Sequence, residues 1–218
     1  MSIIQTKQVN ITQVYEEGIL DIVQLKIVDI RNKIIELWDK QPIITQFPDM
    51  VAIAEPTEQL SCIIQGKKVI ISNENIKEFK ARDLDNFIKF VISFSKILGK
   101  PLKVFGFNYT FLFDFPPDKI TEIRTKNKNL LNFESLSIKK DDFLGNGINV
   151  AFMQDSNRVQ IVSTPNYDDT LKNVINLIIQ TNIHFYKNEI PAFSDLMTEF
   201  KNHHDKLIEK IDQIFSEK

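Results

Sequence analysis

Between residues 104 and 115 the chain reads VFGFNYTFLFDF, with a ring at every second position. Phe105, Phe107, Tyr109, Phe111, Phe113 and Phe115 alternate with Val104, Gly106, Asn108, Thr110, Leu112 and Asp114. Successive side chains of a strand point to opposite faces, so this spacing predicts a strand with all its rings on one side. Each ring buries roughly 150–250 Å², worth about 25 cal/mol for every Å², so a row left in water forfeits many kcal/mol and invites association. The expectation is a central core strand that faces an apolar helix.

The rest of the chain falls into elements by the same two periods. Residues 3–14 read as a strand, and 50–55, 59–65 and 68–73 as three short strands, the last two flanking the hairpin signal Gly66–Lys67. Leu20, Val23, Ile27, Ile30, Ile34 and Leu37 recur at steps of three and four and predict one helix over 17–39. The clearest helix is 83–98, whose face is Leu84, Phe87, Ile88, Val91, Phe94 and Leu98. Asp83 or Asp85 caps its start, Gly99 suits the left-handed position at its end, and Pro101 blocks continuation. Pro116 and Pro117 stop the aromatic strand.

Residues 117–131 carry a thin apolar stripe, Ile120, Ile123 and Leu130 or Leu131, and read as a poor helix; 132–147 read as a loop. Strands at 147–154 and 158–163 flank the turn signal DSN, 173–187 reads as a long strand, and 192–216 as the last helix. Its apolar face is Phe193, Leu196 or Met197, Phe200, His204, Leu207, Ile211 and Ile214 or Phe215. The expected class is α+β, a single unit over 1–218 with a largely antiparallel sheet covered by the helices 17–39, 83–98 and 192–216. The order strand, helix, strands, helix occurs twice, which suggests pseudo-repeated halves at 1–100 and 101–218.

Charge and composition narrow the function. The chain has 218 residues, 27 basic against 29 acidic, for a net charge of −2. That is no footprint of a general nucleic-acid binder. Cys62 is the only cysteine, so no intrachain disulfide or multi-cysteine metal site is expected, and its apolar neighbours suggest an inert thiol. MSIIQTKQVN lacks the pattern of a signal peptide, and no apolar run is long enough to span a membrane, so the expectation is cytoplasmic. Phosphate-loop, dinucleotide and nucleophile-elbow motifs are absent, glycine occurs only six times, and no cofactor is expected.

Four groups of residues remain as candidate chemistry. Lys119, Arg124, Lys126, Lys128, Lys139 and Lys140 outnumber Glu122 and Glu134 in the most basic stretch, able to meet phosphates or a partner or simply to be solvated. Glu199 and His203 share a helix face and would need a third ligand, such as His184, to hold a metal; a solvated His203 and a boundary His204 with one hydrogen bond are the plainer reading, and no metal is expected. Asp141–Asp142 and Asp168–Asp169 are adjacent carboxylates whose convergence sequence cannot establish, and no catalytic residue is assigned.

Two resemblances concern the aromatic strand. Phe105-Gly106-Phe107 is similar to the GFGF core of the RNA-recognition motif, which would make the rings a stacking platform; Gly106, Asn108 and Thr110 on the opposite face make a poor core for that arrangement. Gly106, Phe107, Asn108 and Tyr109, followed by Pro116 and Pro117, also resemble a sporadically distributed, uncharacterised prokaryotic family with a strand reading G-L-R-Y-x-N. The hairpin strand KKVIISN upstream and a last helix with His204 match that family's order, while Asn108 stands where it carries arginine and Phe111 where it carries asparagine. That resemblance implies a fold and no activity. The leading expectation is a non-enzymatic accessory protein that docks a partner macromolecule, chiefly a protein, in a larger prokaryotic assembly. A nucleic-acid accessory using the basic 119–140 stretch, and an enzyme or small-ligand binder with a pocket between helices and sheet, are the alternatives.

Overall fold

Strand alternation organises the molecule around the aromatic strand. The computed structural model describes residues 3–74, 81–114, 147–168 and 173–215. In chain order the elements are β1 (Ile3–Tyr15), α1 (Leu20–Leu25), α2 (Ile27–Trp38), β2 (Ile43–Gln46), β3 (Met50–Glu55), β4 (Leu60–Gln65) and β5 (Lys68–Asn73). There follow α3 (Ala81–Leu98), β6 (Leu102–Asp114), β7 (Asn149–Gln154), β8 (Asn157–Asp168), β9 (Asn173–Phe185) and α4 (Phe193–Phe215). The class is α+β. The strands form one nine-stranded sheet, ordered β2-β3-β4-β5-β1-β6-β9-β8-β7, and every described pairing is antiparallel.

The rings of β6 point inward together. Phe105, Phe107, Tyr109, Phe111 and Phe113 are each at most 1% exposed; Phe115 lies outside the described residues. Phe107 packs edge-on against Phe200 of α4 at 5.0 Å and against Phe185 of β9 at 4.6 Å. Phe105 stacks on Phe185 at 4.9 Å. Phe87 of α3 meets Phe200 at 6.0 Å, which ties the two long helices together over the same rings. Polar groups caught in this layer bond within it. The Tyr109 hydroxyl donates to the Phe200 carbonyl at 2.6 Å. Gln13, fully buried, donates to the Val91 carbonyl at 3.2 Å and accepts from the Tyr15 hydroxyl at 2.6 Å.

Turn chemistry sets the register. Gly66 takes φ 57° in the two-residue β4–β5 hairpin, and Gly99 takes φ 59° as it ends α3 and donates to the Ser95 carbonyl. Asp155 and Ser156 both have positive φ in the β7–β8 turn, as a two-residue hairpin of this twist demands.

Several elements depart from the sequence expectation. The helix predicted over 17–39 is two helices, because Lys26 leaves helical geometry (φ −99°, ψ 10°) and serves as the end of α1 and the start of α2. No proline or glycine marks that break. Strand β2 was not predicted. Pro42 and Pro48 flank it, and such a short strand is tolerated there because it lies at the sheet edge. Strand β8 runs beyond 163 and carries Pro165 inside it. β7 pairs only as far as Val162, so the missing N–H of Pro165 costs no bond on that side. The predicted helix over 117–131 and the predicted loop over 132–147, save Gly147, lie outside the described residues.

Phe107 is fully buried against four other rings. Phe107→Ala is expected to cost about 3–5 kcal/mol in a denaturant titration. A cost near zero would place the ring outside the core.

Candidate functional site

The inward rings leave β6 with an outward face of Gly106, Asn108 and Thr110. Pairing extends that face sideways. Asn10 of β1 lies opposite Asn108, Asn108 opposite Asn182 of β9, and Asn182 opposite Gln160 of β8. A register shift between Thr6 and Gln8, with Lys7 as the extra residue, lets Thr6 turn inward while Gln8, Asn10 and Thr12 turn outward. The amides are bonded into a ladder across three strands. Asn182 donates to the Asn108 carbonyl oxygen, and the Asn108 amino group reaches Asn10 Oδ1 at 2.6 Å and Thr12 Oγ1 at 3.1 Å. The Asn10 amino group is used in none of these bonds.

These side chains line a trough of about 320 Å³ that crosses the adjacent strands β5, β1, β6, β9 and β8. At roughly 4.8 Å per strand spacing it spans about 19 Å. Its lining is amide and hydroxyl with a few aliphatic groups (Ile70, Val162), and Lys68 is its one charged side chain among the described residues. Farther along the face, Arg158 sits opposite His184. Partial burial, and then the Arg158 charge, hold the His184 imidazole below its ordinary pKa.

Behind the sheet, Thr6, His204 and Asp205 form a relay. His204 Nε2 lies 2.8 Å from Thr6 Oγ1, and Nδ1 lies 3.0 Å from Asp205 Oδ1. A carboxylate only accepts, so Nδ1–H donates to Asp205 and Nε2 accepts from the Thr6 hydroxyl. The order hydroxyl, imidazole, carboxylate matches that of an activated nucleophile. Here, however, Thr6 and His204 are each 6% exposed, and neither lines the trough or the two clefts described below. The relay pins α4 to β1. His204 is thus a buried residue with two side-chain partners, a correction to the expectation of a boundary histidine with one bond. Burial is the main cause that lowers its pKa, opposed by Asp205.

A cleft of about 460 Å³ opens between the β7–β8 turn, the end of β9 and α4, and holds His203, Lys187, Lys206, Glu199 and Asp155. Lys187 Nζ stands 3.5 Å from Glu199 Oε1, while Glu199 Oε2 is buried with no hydrogen-bond partner among the described residues. His203 is half-buried against Phe185 and Phe107, at 5.4 and 6.0 Å, rather than solvated as expected. Desolvation first, then Lys206, lowers its pKa. A similar cleft of about 460 Å³ lies at the start of β6 beside Lys96 and Lys100.

The sheet separates His184, on its outward face, from His203, which touches the inward rings. Among the described residues no three His, Cys, Asp or Glu side chains converge to hold a metal ion. Cys62 is buried, and burial pushes its thiol up, so it stays protonated. Lys119, Arg124, Lys126, Lys128, Lys139 and Lys140 lie outside the described residues, as do Asp141, Asp142 and Asp169. No described helix is long and apolar enough to cross a membrane. The outward amides escaped sequence reading, although the polar residues of 8–12, 108–110 and 180–182 share one parity within each strand. Compared with protein-family models and with curated proteins, the sequence has no match in either.

All three histidines have lowered pKa values. The unfolded chain therefore binds more protons once pH drops below about 6.5. Stability is expected to be full above that pH and to decline as pH falls toward the folded-state values. His204→Gln should flatten the decline in acid-dependent melts; an unchanged slope would exclude His204 from it.

Proposed function

We propose that the chain is a non-enzymatic docking module that seats a partner macromolecule on the outward face of its sheet, as an accessory part of a larger assembly. The amide ladder carries this reading. Asn10, Asn108 and Asn182 hold one another in fixed orientations across three strands and line an open trough. Side chains fixed by one another meet a partner with less loss of rotamer freedom than mobile surface groups. Nothing about solubility requires amides to be bonded to each other there.

We also take β1–α3 and β6–α4 as structural repeats whose helices cover the inward face. The strand order supports it: β5 flanks β1 as β9 flanks β6, β1 and β6 meet at the centre, and Asn10 lies opposite Asn108. The Asn10–Asn108 pair then lies across the local two-fold axis. Stacking of bases on the β6 rings has no support, since those rings are buried. The alternative of a small-ligand binder draws on the cleft of His203, Lys187 and Lys206, whose charges suit a small anion.

The test uses Asn108→Ala/Asn182→Ala, with circular dichroism to verify folding. Tagged wild-type and variant chains are recovered from cells, and their bound protein and nucleic acid compared. A species bound to the wild type should fall at least about tenfold with the variant, the size of a central interface contact. Equal recovery by both would contradict the assignment of this face.

A further inference from the structure

We infer that a second copy of this chain pairs with β7, edge to edge and antiparallel, so that two sheets join into one. The inference stands independently of the docking role proposed above. It follows from which backbone groups β7 leaves open and from how the two ends of the sheet differ.

Hydrogen-bond parity identifies the open groups. The two-residue turn at Asp155–Ser156 is closed by the pair Gln154 and Asn157, and bonded pairs then recur at every second residue of the hairpin. The Ser163 N–H donates to the Ile148 carbonyl at 2.8 Å, which keeps the same parity at the far end. Val150, Phe152 and Gln154 therefore spend their backbone groups on β8. Asn149, Ala151 and Met153 turn theirs the other way, where β7 ends the sheet among the described residues. A ready row of donors and acceptors results, along about 20 Å of strand.

The two ends of the sheet are built differently. An open edge is a template for another strand, and proteins shield edges with short strands, proline, charge or bulges. β2 has four residues and is flanked by Pro42 and Pro48. β7 has six residues, no charge, no proline and an unbroken register with β8. It also leaves core-side apolar surface in water. Val150 and Phe152 stand opposite Ile161 and Val159, each at most 2% exposed, yet Val150 is 41% exposed. Pairing of β7 with a shielded β2 would run on into an open filament, whereas β7 against β7 closes as a two-fold dimer.

The strand complements itself in one register. A two-fold axis through the sheet at Ala151 sets Ala151 opposite its own copy and Asn149 opposite the partner's Met153. This is the register that engages all three open residues with one another, each pair exchanging its bonds. On the core side, Val150 then meets the partner's Phe152 in the closer, non-bonded kind of pair, and the exposed valine gains an aromatic cover. The axis runs perpendicular to the sheet, so the outward faces of both copies lie on the same side. A single-strand seam is smaller than the roughly 1,600 Å² of a standard interface. The dimer is therefore reversible, with a dissociation constant of about 1–100 µM.

Sedimentation equilibrium of the full chain from about 1 to 300 µM should show the mass rising from monomer to dimer. Ala151→Pro removes an N–H that β8 does not use, so circular dichroism should be unchanged while association weakens at least about tenfold. Ala151→Lys sets like charges opposite each other at the axis, should weaken the dimer likewise, and serves if the proline variant does not fold. Under oxidant, Ala151→Cys should form a disulfide-linked dimer, because facing Cα atoms of a bonded pair lie about 5.5 Å apart. Met153→Cys, which faces the partner's Asn149, should not, and Cys62 is buried. A mass that stays monomeric throughout the range, a dimer unchanged by Ala151→Lys, or faster crosslinking of Met153→Cys than of Ala151→Cys overturns the inference.

Discussion

The alternation of side chains along β6 is the constraint on which the rest depends. Once Phe105, Phe107, Tyr109, Phe111 and Phe113 face one way, the residues between them must face the other. Phe200 of α4 packs on Phe107 of the inward row, and Phe87 of α3 packs in turn on Phe200. The outward row is thereby freed from any packing duty. Its neighbours in β1 and β9 follow through the register, and asparagine comes to face asparagine across three strands.

Two kinds of polar group result. Those on the inward side are closed: Gln13, Tyr109 and the Thr6–His204 pair spend their bonding capacity on helix backbone or on each other, and so fix where the helices sit. Those on the outward side are oriented yet accessible. The bulge at Lys7 joins the two, since it allows a single strand to send Thr6 to His204 and Gln8 to the open face. A shift of one residue there would exchange the two sets.

Much of this was legible in the chain. The aromatic parity, the Gly66 and Gly99 turns and the two periodicities located most of the described elements and the antiparallel class. What escaped had physical causes. The break at Lys26 leaves the apolar stripe of α1 and α2 nearly continuous, with hydrogen bonds from Lys26 to Ile22 and from Ile30 to Lys26 on either side. β2 is four residues long and bounded by prolines, too short to display a period. The candidate site was hidden because Asn10, Asn108 and Asn182 are 98 and 74 residues apart in sequence, and only strand pairing brings them together. Polar residues in a strand ordinarily signal solvent, and their mutual bonding has no signature in composition.

The claim that the sheet's outward face is the binding surface is tested most directly by hydroxyl-radical footprinting of the chain alone and as recovered from cells with its bound partner. The account predicts reduced oxidation at Ile70 and Val162 in the trough, with Leu25 and Val28, both exposed on the helices, unchanged. Protection at Leu25 and Val28, with Ile70 and Val162 unaffected, would contradict it.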